Sequence, residues 1–144
     1  MGEGAVLIGR RGLLAGLLAS AAVPALAQTT AEDRRRFMAR AFEMRDEAVR
    51  RGDQAFGAVV VKGGKIVGEG VSAVITRPDP TAHGEIEAIR DAARQLNSRD
   101  LFGAELYSSF RPCPMCEAAA AWAGIVRVWY GQEIIDGGVP RMSR

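Results

Sequence analysis

The chain has 144 residues, with 19 lysines and arginines against 17 aspartates and glutamates and a formal charge of +2 at pH 7. That length builds one small domain around a single core and has no room for a second. A charge so close to zero excludes a generic polyanion binder, whose affinity comes from clustered Lys and Arg releasing counterions, so long nucleic acid is not an expected partner.

Residues 10–27, RRGLLAGLLASAAVPALA, set two arginines before an apolar stretch that ends in Pro24 and the triplet Ala25, Leu26, Ala27. This is the pattern of a secretory signal cleaved after Ala27. The adjacent Arg10 and Arg11, followed by Gly12, Leu13 and Leu14, resemble its twin-arginine form. The stretch falls short of the about 20 apolar residues that span a bilayer, and Gly16, Ser20 and Pro24 loosen it. Residues 1–27 are therefore read as a cleavable export signal that leaves no membrane anchor, and residues 28–144 as the single domain of an exported, periplasmic protein.

Residues 31–51 carry Phe37, Met38, Ala41, Phe42, Ala48 and Val49 on one helical stripe, and Gly52 ends this amphipathic helix. Its arginines interleave with Glu and Asp, which marks a solvated face rather than a phosphate site. FGAVVV at 56–61 and IVGEGV at 66–71 flank Lys62, Gly63, Gly64 and Lys65. A Gly-Gly pair between two apolar runs predicts a tight antiparallel hairpin with a primed turn. A loop with Pro78 and Pro80 leads to a helix over 82–96, with Ile86, Ile89, Ala93 and Leu96 on one face. A strand over 104–109, a helix over 114–123 stopped by Gly124 and a strand over 125–130 follow. Strand, helix, strand at this spacing is a right-handed parallel crossover, so the fold class is α/β with a mixed sheet covered by helices. Trp122, Trp129 and Tyr130 are read as core rather than as a stacking platform.

His83, Cys113 and Cys116 are the only histidine and the only two cysteines in the chain, and all three suit zinc. Pro112 and Pro114 bracket Cys113, which puts Cys113 near a helix N-cap and Pro114 at the first helical position. Cys116 then falls about one turn in, on the same side. The positive end of the helix favours thiolate, the form that binds metal. His83 follows the turn Asp79-Pro80-Thr81 at the mouth of the other helix, so two helix starts at one sheet edge can converge on one ion. Three protein ligands leave the fourth tetrahedral position to water, as in catalytic sites. Two thiolates and a neutral imidazole cancel the charge of the zinc, so a nearby base is needed, and Glu85 lies two residues beyond His83. The competing reading of Cys-Pro-Met-Cys is a thiol–disulfide redox pair, which an oxidising compartment favours. It gives His83 and Glu85 no purpose.

His83-Gly84-Glu85, with Pro112-Cys113-Pro114-Met115-Cys116 downstream, matches the H-x-E and P-C-x-x-C signature of the zinc-dependent cytidine deaminase-like superfamily. The string DPTAHGEIEAIR over 79–90, with FGAVVV and LYSS at 106–109, resembles the guanine deaminase and tRNA adenosine deaminase branch across residues 31–132. The resemblance implies that superfamily's three-layer fold with helices on both faces. It also implies zinc held by His83, Cys113 and Cys116, a proton shuttle at Glu85, and hydrolytic release of ammonia. The expected substrate is a free nucleobase or nucleoside, guanine first, and relatives form dimers. Phe56, Ala58, Ser72 and Gly84 are the candidate substrate contacts, Phe56 because it opens the first strand at the zinc edge. Three positions depart from the family pattern: Arg111 replaces the usual Glu before Pro-Cys, Ser72 stands where an Asn holds the base, and the segment after Gln132 lacks a further helix. They motivate a third reading, a zinc-binding relative that does not catalyse.

Overall fold

The computed structural model describes Met1 and residues 29–142; apart from Met1, the expected export signal lies outside the described residues. Eight elements follow in order: α1 (Ala31–Arg50), β1 (Gly57–Lys62), β2 (Lys65–Val71), α2 (Gly84–Gln95), β3 (Glu105–Ser108), α3 (Pro114–Trp122), β4 (Arg127–Tyr130) and β5 (Ile135–Gly138). The strands form one sheet in the order β2-β1-β3-β4-β5. β1 runs antiparallel to β2 and β3, β3 runs parallel to β4 through α3, and β4 runs antiparallel to β5. This is the mixed α/β sheet expected, with β5 added. Among the described residues, no helix is long and apolar enough to cross a membrane.

Alternation along β1 assigns its two faces. Val59 and Val61 pack with Tyr107 against Phe37, Met38, Ala41 and Met44 of α1. Ala58 and Val60 face the other way, onto Ala88 and Ala92 of α2 and Ala120 of α3. Helices therefore cover both faces. α1 starts at a reciprocal cap in which Thr30 Oγ1 accepts from Asp33 N at 3.1 Å and Asp33 Oδ2 accepts from Thr30 N at 3.4 Å. Val49, expected on its buried stripe, is 55% exposed, and Met44 takes its share of the core, because one residue past Ala48 is a 100° step off the stripe. On α2 the sheet-facing residues are Ala88 and Ala92, whereas Leu96 caps the helix and is exposed. The reason lies in β2: a Cβ at Gly68 or Gly70 would sit 2.4 Å from Ala88 O or 1.9 Å from Gly84 O. The strand's glycines let α2 settle on the backbone, where only small residues fit.

The hairpin forms as expected, with Lys62 paired to Lys65 and positive φ at Gly63 (59°) and Gly64 (74°), the primed turn. β5 lies in the tail where no element was expected. Three of its four residues are exposed, so no buried alternation announces it. Trp122, read as core, is 79% exposed at the end of α3, whereas Trp129 and Tyr130 pack against the two cores.

Candidate metal centre

Two helix starts meet at one edge of the sheet. His83 is the N-cap of α2 (φ −66°, ψ 153°) and Cys113 the N-cap of α3 (φ −72°, ψ 166°), and neither side chain makes a capping hydrogen bond. An N-cap side chain ordinarily satisfies a first-turn N–H; here both turn toward each other instead. Pro114 occupies the first turn of α3, where its missing donor costs nothing, and the fully buried Cys116 follows one turn in. His83 Nδ1 lies 3.7 Å from Cys113 Sγ and 3.5 Å from Cys116 Sγ, and the sulfurs are 3.6 Å apart. A tetrahedral zinc with Zn–S near 2.3 Å and Zn–N near 2.0 Å requires edges of about 3.8 Å between sulfurs and about 3.5 Å between sulfur and nitrogen. The three donors fit that ion. Cys113 and His83 are only half-buried, so the cluster is closed on its Cys116 side and open on the other.

Burial, and next the charge of Glu85, push the Cys116 thiol well above its ordinary pKa. A metal bound at the site would supply the positive charge that offsets this burial and holds the thiolate form.

Glu85 stands in the first turn of α2 and is 5% exposed. Its Oε2 lies 3.5 Å from Cys116 Sγ, and its Oε1 accepts a hydrogen bond from the Ser108 hydroxyl at 2.9 Å. Strand parity aims Ser108, two residues beyond Leu106, at the α2 side of the sheet.

The proposed substrate contacts divide. Phe56 is half-buried at the head of β1, its ring 6.0 Å from that of Phe110, which is 62% exposed. Gly84 is buried because α2 touches β1 there: a Cβ would sit 2.9 Å from Gly57 Cα. It is a point of close packing rather than a contact surface. Ala58 is 0% exposed inside the core, with no face for a ligand. Ser72 is 1% exposed and its hydroxyl donates to Asp53 Oδ1 at 2.9 Å, so it is already engaged. Asp53, which sequence reasoning missed, also receives Ile75 N, Thr76 N and Thr76 Oγ1 on its other oxygen, and so fastens the loop that leads to His83. Arg111 is exposed on the rim and makes no ion pair among the described residues. The broad groove between α1 and α2, with Arg40, Glu69, Arg77 and Glu87 in its walls, includes none of the four clustered residues.

A three-layer α/β domain with a His/Cys/Cys triad and a buried carboxylate at two helix starts defines a mononuclear metal-site protein. Residues 31–132 match the family model described as the cytidine and deoxycytidylate deaminase zinc-binding region, and the chain belongs to that family. It is similar to the guanine deaminase of Bacillus subtilis (strain 168), at 45% identity over 101 residues, 69% of this chain and 65% of that protein. It is also similar to the tRNA-specific adenosine deaminase of Aquifex aeolicus (strain VF5), at 41% identity over 81 residues, 56% of this chain and 54% of that one. The X-ray structure of guanine deaminase from Bacillus subtilis superposes with a TM-score of 0.64 at 44% identity, covering 67% of this chain and 62% of that chain. The chain thus spans less than two thirds of the length of these relatives.

Proposed function

We propose that this protein is a zinc-dependent hydrolytic deaminase of a free nucleobase or nucleoside, guanine first. In this reading His83, Cys113 and Cys116 hold the metal and Glu85 carries protons. The observation that supports it most is the triad itself, whose three separations of 3.5, 3.6 and 3.7 Å match the edges of a tetrahedral zinc site. Zinc bound there supplies Lewis-acid activation of water. The rest of the chemistry belongs to the chain. Glu85, sheltered from bulk solvent, would take one proton from the attacking water on Oε2, the oxygen on the Cys116 side, and give it to a ring nitrogen, then take the second proton from the added hydroxyl and give it to the amine that departs as ammonia. Phe56 and Phe110, their rings 6.0 Å apart and tilted 59° to each other, would supply apolar walls for a planar heterocycle.

A small base is favoured over tRNA by the near-neutral charge and by the higher identity to the guanine deaminase, 45% against 41% or less for the tRNA-specific adenosine deaminases. The pattern of residues 10–27 supports export as a proposal: protein recovered from the periplasm is expected to start at Gln28, and recovery with Met1 intact from the cytoplasm would contradict it. The function is tested on purified protein with zinc quantified and ammonia followed on guanine, adenosine, cytidine and a tRNA anticodon stem. Ammonia release from guanine, cut on the order of 100-fold or more in Glu85→Gln with zinc retained, is the expected result. Zinc-loaded protein silent on every substrate points to a non-catalytic relative. Metal-free protein that turns over disulfides points to the redox reading.

A further inference from the structure

A glutamate carboxyl rotates about a broad, two-fold χ3, so a proton carrier needs something to fix its plane. We infer that Ser108 is the positioning residue that sets the Glu85 carboxylate, an inference that rests on the reading of Glu85 as proton carrier. Ser108 is 2% exposed and its hydroxyl donates to Glu85 Oε1 at 2.9 Å across 23 residues of chain. The direction of the bond follows from the partners: an ionised carboxylate only accepts, so the Ser108 hydroxyl donates, while Phe110 N–H lies 3.5 Å from the same Ser108 oxygen. With Oε1 engaged, Oε2 is the oxygen left beside Cys116 Sγ. Because Oε1 accepts whether or not Oε2 carries a proton, the bond persists through a full cycle of proton uptake and release.

The platform under Ser108 is rigid. Its backbone pairs with Ala58 of β1 on one side and Tyr130 of β4 on the other. The next residue, Ser109, is clamped to Gly57 in both directions, its N–H donating to Gly57 O at 2.9 Å and its Oγ accepting from Gly57 N at 3.1 Å. A group seated on paired strands holds its partner within tighter limits than a loop residue does.

The test is a cycle of Ser108→Ala and Ser108→Thr in the wild-type and Glu85→Gln backgrounds. Ser108→Ala is expected to lower kcat by about 10- to 100-fold with KM little changed and zinc content intact, as for loss of a partner that orients an active group. Ser108→Thr, which keeps the hydroxyl, restores most of the rate. In the Glu85→Gln background Ser108→Ala costs nothing further, because Ser108 acts only through Glu85. An activity-free arm uses melting temperature: Ser108→Ala lowers it in the wild type but not beside Glu85→Ala. Unchanged kcat in Ser108→Ala, with Glu85→Gln strongly impaired, overturns the inference and keeps the function. So does a loss that Ser108→Thr shares or that adds to Glu85→Gln. Full activity in Glu85→Gln overturns the function instead, and additive melting shifts overturn the Ser108–Glu85 coupling whether or not any substrate turns over.

Discussion

The Asp53 carboxylate accepts from Gln54 N and Ser72 Oγ on one oxygen and from Ile75 N, Thr76 N and Thr76 Oγ1 on the other. Burial raises its pKa, but the donors on Thr76, Gln54 and Ser72 together outweigh that and hold it well below the usual carboxylate range. A carboxyl whose folded value lies below its unfolded one, near 3.9, stabilises the fold above that value and loses its contribution as pH falls through it toward the folded value. Asp53→Asn is therefore expected to cost about 2 kcal/mol at pH 7, a fall of roughly 8 °C in melting temperature, and to lose less than the wild type as pH falls below about 4 toward 2. Parallel pH curves for the two proteins contradict the assignment. At this scale, His83, Cys113 and Cys116 were legible because rare residue types carry chemistry on their face, and Glu85 because it stands two residues beyond the sequence's single histidine. Ser108 and Asp53 were not: a serine and an aspartate are common, and their partners lie 23 and 19 residues away, joined only by strand register and loop path. The same Asp53 takes the one proton of the Ser72 hydroxyl, which leaves Ser72 no hydroxyl donor for a ligand.

Among the elements, α2 matters most to the site, because its first turn carries both His83 and Glu85 and its height above the sheet is set by glycines. A Cβ at Gly70 would lie 1.9 Å from Gly84 O and 2.3 Å from Ala88 N, both backbone atoms that cannot turn aside. Gly70→Ala is predicted to cost about 3 kcal/mol and to lower zinc content by lifting that turn away from α3. Gly63→Ala, in the open hairpin turn at φ 59° with nothing within 4 Å, costs only about 1 kcal/mol and leaves zinc unchanged. Equal zinc loading in both variants contradicts the seating of α2. Periodicity and the Gly-Gly pair made most elements readable, yet the apolar stripe of α2 pointed to Leu96 where Ala88 and Ala92 face the sheet. Side-chain size followed the missing Cβ atoms of the facing strand, which α2's own sequence does not show. β5 escaped for the opposite reason, an exposed strand with two glycines and no inner face to pattern.

At the scale of the whole molecule, the sheet's role is to bring two helix starts, separated by about thirty residues of chain, to one point. The parallel β3-α3-β4 crossover carries Cys113 and Cys116 to the edge where α2 begins, and α1 closes the far face without reaching the metal centre. Zinc then links two segments that the fold has already aligned, so metal and fold stabilise each other. X-ray absorption at the zinc edge on the purified protein addresses that arrangement directly. Two sulfur scatterers near 2.3 Å and two nitrogen or oxygen scatterers near 2.0 Å, reduced to one sulfur in Cys113→Ser and short of a nitrogen in His83→Ala, are the expected signature. A shell of four sulfurs shared between molecules, or a spectrum untouched by His83→Ala, would contradict a single zinc held jointly by α2 and α3.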